Sequence, residues 1–325
     1  MKSEAKLTEK DRKILAELNH DARTPDSQIS KRVKLSKQVT NYRIKNLTKK
    51  GIISNFYTVI DVGKLGFSSH YVFLQLQSIT ESEETKLMEK LKGKEYVGWL
   101  VNGTGRWDAV VLIYSKSTLE FNNYLNDLLS ACEGKVHDYL FTTLISAEHL
   151  GYKFFGLKTQ TKALQTEKAP QFTLDKKDRE ILRMLSQNAR LSSVEISAKT
   201  NLSIHSVRYR LKELRKKEII EAFKPKVEVN KLGLQWHLLL IQFAIKEESR
   251  KNEFISYCEK NKNVYYVTNT IGNYNLMLDI HVKSTEEFKR VLLDLKEKFS
   301  DVIKLYESII IFEEYKIDYF TELFV

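Results

Sequence analysis

Two cysteines in 325 residues, Cys132 and Cys258, are too few for a disulfide framework or a zinc cluster, and a reducing compartment is expected. Three prolines against 42% apolar residues exclude a disordered or proline-rich chain and predict real cores. No apolar stretch reaches the length of a signal segment or a membrane span, so the expectation is a soluble, cytoplasmic protein with no membrane contact. A Ser/His/Asp order, a glycine-rich phosphate loop and a His/Cys cluster are all missing. No catalytic, metal or cofactor assignment follows, and an enzyme is not expected.

The most informative absence is local. Residues 31–50 contain no acid and eight bases: Lys31, Arg32, Lys34, Lys37, Arg43, Lys45, Lys49 and Lys50. The whole chain is basic as well, with a net charge of +11 and a pI near 9.3. That balance favours a polyanionic partner. Within the stretch, Thr40, Ile44 and Leu47 recur at helical spacing, and Ser36 stands where an N-cap opens the helix. Just before it, 25–33 reads as a short helix and Lys34-Leu35 as a turn. A short helix, a tight turn and a capped basic helix predict a helix-turn-helix whose second helix is the recognition helix.

The device occurs twice. An offset of 167 residues, without a gap, pairs Asp11 with Asp178, Ile14 with Ile181, and Ala22-Arg23 with Ala189-Arg190. The same offset pairs Leu35-Ser36 with Leu202-Ser203, Tyr42-Arg43 with Tyr209-Arg210, Leu65-Gly66 with Leu232-Gly233, and Gly105 with Gly272. The chain therefore reads as a tandem duplication of one two-part unit.

In each unit a first helix (7–19, with Thr8 as cap) precedes the helix-turn-helix, and 52–60 reads as a wing and connector strand. Then the rhythm changes. Strands at 71–77, 96–101, 107–114 and 136–145 alternate with helices at 83–92 and 118–129, the second placing Leu119, Leu125 and Leu128 on one side. The order βαββαβ is the ferredoxin-like unit, an antiparallel sheet with one face left for a partner. The expected class is α+β, two winged helix-turn-helix domains alternating with two ferredoxin-like domains. Expected boundaries are 1–60, 61–154, a linker over 155–173, 174–228 and 229–325, with the second sheet ending near Phe312.

The segment Leu7-Thr-Glu-Lys-Asp-Arg-Lys-Ile-Leu15, with Leu35-Ser36, Arg43, Leu47, Gly51-Ile52-Ile53, Leu65-Gly66 and Gly105-Arg-Trp-Asp108, resembles the leucine-responsive/AsnC family of transcriptional regulators. The resemblance covers nearly the whole chain, twice. It implies a sequence-specific regulator that binds double-stranded DNA and self-associates through its ferredoxin-like domains, with an amino acid or other small metabolite as effector. Family members usually carry one unit per chain, so one chain here stands for one ordinary dimer.

Residues expected at DNA are Lys37, Gln38, Asn41, Tyr42, Arg43 and Lys45 in the first copy. In the second they are His205, Ser206, Arg208, Tyr209, Arg210 and Lys212. Arg43 and Arg210 match under the offset and suit helix packing plus a phosphate contact. The competing reading is a helix-turn-helix turned to protein contacts, with more room in the second copy, where Glu213 and Glu218 dilute the charge. For an effector, the loop Gly103, Thr104, Gly105, Arg106 and Asp108 offers backbone N–H groups and a guanidinium to a carboxylate, and a carboxylate to an ammonium. The competing reading is a plain turn between strands, and the second copy (Gly272-Asn-Tyr-Asn275) keeps neither charge. A second resemblance, to the sirohaem decarboxylases, rests on the fused length and on His70 and His237, which match under the offset. Those enzymes use histidines near a tetrapyrrole. Partly buried strand histidines satisfied by a backbone oxygen are the simpler reading.

Overall fold

The computed structural model describes residues 6–153, 163–165, 171–244 and 247–325. Helix α1 (Glu9–His20) opens on a capping box in which Thr8 and Asp11 satisfy each other's backbone. Helix α2 (Asp26–Val33) is stopped by Lys34 in the left-handed conformation. Helix α3 (Lys37–Lys49) is capped by Ser36, whose hydroxyl accepts from Val39 N at 3.2 Å. It buries Thr40, Ile44 and Leu47. The second copy repeats this as α6 (Lys176–Gln187), α7 (Ser193–Thr200) and α8 (Ile204–Lys216).

Strand β1 (Ile53–Ile60) was expected to be a wing and connector. It pairs with its counterpart β7 (Ile220–Val227) in a two-stranded antiparallel ribbon. Tyr57 lies opposite Lys224, its own match under the offset, so an approximate two-fold axis passes there. Each helical unit docks on the other unit's strand. Ala22 N donates to Phe223 O at 2.9 Å and Ala189 N to Phe56 O at 2.8 Å. The guanidinium of Arg23 covers the Phe223 ring, and that of Arg190 covers Phe56.

The first sheet unit contributes β2 (Ser68–Leu76), α4 (Glu81–Lys92), β3 (Val97–Thr104), β4 (Ala109–Ser115), α5 (Thr118–Ala131) and β5 (Val136–His149). A short β6 (Ala163–Gln165) follows. The second unit contributes β8 (Gln235–Phe243), α9 (Glu248–Lys260), β9 (Val264–Gly272), β10 (Leu276–Val282), α10 (Thr285–Phe299) and β11 (Ile303–Ile317). The two sheet units, which stand for the two halves of an ordinary dimer, are joined by exchanged strands: β5 pairs with its own β2 over its first half and with β9 of the other unit over its second. Strand β11 likewise passes from β8 to β3. The order β2-β4-β3-β11-β8-β10-β9-β5 then returns to β2 and closes a ring of eight strands. Both crossing strands outrun their expected ends, at 145 and near Phe312, because the extra residues pair with the other copy.

Helices α4 and α5 cover the ring on one side, and α9 and α10 on the other, each over its own apolar core. In α5 the buried positions are Phe121, Leu125 and Leu128, while Leu119, expected inside, is 71% exposed. Much of the expected linker lies outside the described residues. Where it is described it is tied down: β6 pairs with the far half of β5, and Phe172 N donates to Lys64 O at 2.7 Å.

His70 and His237 sit between sheet and helix, stacked on the matching rings Phe121 and Phe288 with centroids 4.0 and 3.9 Å apart. Their polar partners are side chains rather than backbone oxygens, Thr143 Oγ1 at 2.9 Å and Gln235 Oε1 at 3.3 Å. Burial holds both imidazoles down at about 4, below the ordinary 6.5. The unfolded chain therefore takes up these protons first. The stability they contribute is complete above about pH 6.5 and lost as pH falls toward 4. The melting temperature should drop across that window, and His237→Leu should make the drop shallower. An unchanged slope in the variant would place the acid sensitivity elsewhere.

Candidate nucleic-acid interface

Helix α3 buries one stripe and turns the rest outward. Lys37, Gln38, Tyr42 and Lys45 are exposed, Tyr42 to 69%. Among the described residues no ion pair ties up Lys37 or Lys45, so their charges remain available to phosphate oxygens. Val39, 40% exposed beside them, is an apolar side chain on the same face that charge alone did not single out. In α8, His205, Arg208, Tyr209 and Lys212 are exposed at their own positions, Tyr209 to 60%.

Four of the residues expected at DNA make contacts within the protein, and for Arg43 and Arg210 these are the helix packing expected of them. Arg43 reaches back to the start of α1, donating to Thr8 Oγ1 at 3.1 Å and Asp11 Oδ1 at 2.9 Å. Arg210 does the same to Asp175 and Asp178 at 2.6 and 2.7 Å. Both brace the recognition helix against the first helix of its unit, and the Arg43 partner Asp11 is held below the usual carboxylate range by its bonds to Thr8 and Arg43, against an opposing burial effect. Asn41, expected to read a base edge, donates through Nδ2 to Asp26 Oδ2 at 2.7 Å. Asp26 Oδ1 accepts from Arg190 of the other unit at 2.7 Å, so Asn41 belongs to a bridge between the two copies. Ser206 is drawn to the helix start, its Oγ 2.9 Å from that of the cap Ser203. The signal for Asn41 was present at Asp26, fifteen residues earlier, but nothing local marks the two as neighbours.

The loop after β3 is a strand junction. Gly103 pairs with Ile311 of β11, and a Cβ there would meet Ile310 O at 2.3 Å. One at Gly105 would meet Ser308 O at 2.4 Å. Glycine is needed at both because two backbones touch. Thr104 is exposed. Arg106 donates to Glu307 Oε1 at 2.7 Å and lies over the Trp107 ring. Asp108, expected to take an ammonium group, accepts Leu76 N at 2.7 Å. Its match Asn275 accepts Phe243 N at 2.8 Å, the corresponding amide of the second unit. A neutral side chain does the same task there, so the task is to satisfy a strand-end N–H and charge is incidental. Between the loops, Trp107 Nε1 donates to the hydroxyl of Tyr274, its own match, at 2.8 Å, with Glu307 accepting from both.

The family description "Winged helix-turn-helix DNA-binding" matches residues 7–54 and 174–221. The HTH-type transcriptional regulator FL11 of Pyrococcus horikoshii is 31% identical over 128 residues, which are 39% of this chain and 83% of that protein. LrpA of the same organism is 30% identical over 133 residues, 39% of this chain and 89% of that protein. The chain belongs to the Lrp/AsnC family of helix-turn-helix transcriptional regulators. It is a tandem form, since the description matches at two positions and each of these relatives aligns with well under half of the chain. The crystal structure of the siroheme decarboxylase NirDL aligns with 97% of this Lrp/AsnC chain and 96% of its own, with a TM-score of 0.65 and 15% identity. That likeness is one of fold. No helix among the described residues of this regulator is long and apolar enough to cross a membrane.

Asp108→Asn should leave stability within about 0.5 kcal/mol, because the second copy already uses asparagine, while Asp108→Ala should cost about 1–3 kcal/mol by orphaning the Leu76 amide. Denaturant melts measure both. A large loss in Asp108→Asn would show that the charge itself is needed.

Proposed function

We propose that this duplicated regulator reads double-stranded DNA through the outer faces of α3 and α8, each entering a major groove. One observation carries the proposal: a recognition helix with exposed Lys37, Gln38, Tyr42 and Lys45 and no acid within it, beside Lys31, Lys34, Lys49 and Lys50. Lysines supply the sequence-independent phosphate attraction, and Gln38 has the donor–acceptor pair that suits adenine. Arg43, Arg210 and the Asn41–Asp26–Arg190 bridge act as positioning groups. Helix α8 carries exposed His205, Arg208, Tyr209 and Lys212 at the positions of Gln38, the engaged Asn41, Tyr42 and Lys45 of α3. The two half-sites are therefore non-identical, and the operator is not a strict palindrome.

The ordered loop at Gly103–Asp108 gives an amino-acid effector little purchase, since Arg106 and Asp108 are already engaged within the chain. The decarboxylase reading rests on the shared fold and on His70 and His237. Stacked between sheet and helix, those imidazoles serve packing.

Fluorescence anisotropy on random-sequence duplex DNA, titrated with salt, tests the regulator reading. Affinity should fall steeply with salt. Lys37→Ala with Lys45→Ala should weaken binding to every sequence and reduce the salt slope by about 2. Gln38→Ala should instead cost about 1–3 kcal/mol at a selected operator and little on random DNA. Absence of binding at low salt would overturn the proposal.

A further inference from the structure

The interior of the closed ring is not filled. A cavity of about 130 Å³ lies inside it, between the two units. That is close to the volume of an apolar void able to hold one benzene ring, about 150 Å³. Its wall is largely aromatic, with Tyr71, Trp99 and Tyr114 from the first unit and Trp236 and Tyr266 from the second.

Charge on the wall favours one sign. Asp279 of β10 and Glu314 of β11 both line the cavity. Lys226 is the one lysine or arginine among the lining residues, and Glu314 already holds it at 3.0 Å. The lining imidazoles are neutral, because burial keeps His149 well below its ordinary range and His281 at about 3. Asp279 accepts from Trp236 Nε1 at 2.7 Å through one oxygen. Burial lifts its carboxyl to about 7, which a nearby cation would reverse. A ligand carboxylate or phosphate finds no free positive partner here, whereas an ammonium group finds a carboxylate and ring faces.

Divergence of the copies sharpens the point. Under the 167-residue offset Asp279 answers to Leu112, which lines the same cavity, and Trp236 answers to Ser69. The acid and its indole partner occur in one copy only, which makes a single site per chain.

We propose that this cavity binds a small organic cation of about one ring, an arylalkylammonium, with Asp279 as counter-ion and the surrounding indole and phenol faces as its cage. Tyr57 and Lys226 of the β1–β7 ribbon line the cavity too, so the ligand lies against the element on which both helix-turn-helix units are mounted. An effect on DNA affinity would rest on the regulator reading; the binding site does not.

The test is a titration of tryptophan fluorescence in the full chain at about pH 8, where benzylamine is protonated. Benzyl alcohol and benzoate serve as neutral and anionic probes of the same size. Benzylamine should quench saturably and bind at least about tenfold more tightly than either analogue. Asp279→Asn retains an acceptor for Trp236 and should abolish that preference while leaving the melting temperature in place. An equal response to all three probes, no saturation by benzylamine, or undiminished preference in Asp279→Asn would overturn the proposal. The comparison of probes on the unaltered chain stands even where the variant folds poorly. No DNA is present, so failure here and failure of DNA binding are separate results.

Discussion

Two strands that change partners hold this molecule together. Strands β5 and β11 each begin in their own sheet and finish in the other, and their crossing turns two open four-stranded sheets into one ring. An open sheet has two edges of unpaired N–H and C=O groups, and closure removes them. It also gives each unit's inner face a partner, which neither would have alone. The β1–β7 ribbon repeats the exchange for the DNA-reading units, since each three-helix bundle rests on the strand of the other. The position of one recognition helix relative to the other is therefore set in part by hydrogen-bonded backbone and by Arg23 and Arg190.

Fusion of the two copies makes the chain its own internal comparison. Several matched pairs do the same structural task in both copies: Arg43 and Arg210 on their helix starts, His70 and His237 on their phenylalanine rings, and Asp108 and its neutral counterpart Asn275 on their strand-end amides. Other matched positions differ: Lys37, Gln38 and Asn41 of α3 answer to Ile204, His205 and Arg208 of α8, and Asp279 in the wall of the central cavity answers to Leu112.

Much of the fold was legible from residue order. Ser36, Thr8 and Lys34 mark helix ends to within a residue or two, because capping acts between neighbours three or four residues apart. Helical spacing of Thr40, Ile44 and Leu47 identified the buried stripe of α3, and with it which lysines face out. The candidate interface was legible in part. Lys37, Gln38, Tyr42 and Lys45 stand exposed as expected, whereas Asn41 is turned into a bridge by Asp26 and Arg190. Leu119 misled because apolarity at a helix start resembles a core position until the facing sheet is known.

The amino-acid sequence by itself determined the duplication, the kinds and order of the elements, and the basic outer face of the recognition helix. Each follows from periodicity, capping or charge within a few residues. Only the tertiary structure decided where β5 and β11 end, which polar side chains are already engaged, and that the ring encloses an acidic aromatic cavity. Those outcomes depend on groups that meet from well beyond the local chain, fifteen residues for Asn41 with Asp26 and over 100 for Trp99 with Glu314 or Thr142 with Tyr274. A strand edge, an amide or a carboxylate carries no local sign of which distant partner the fold will bring to it.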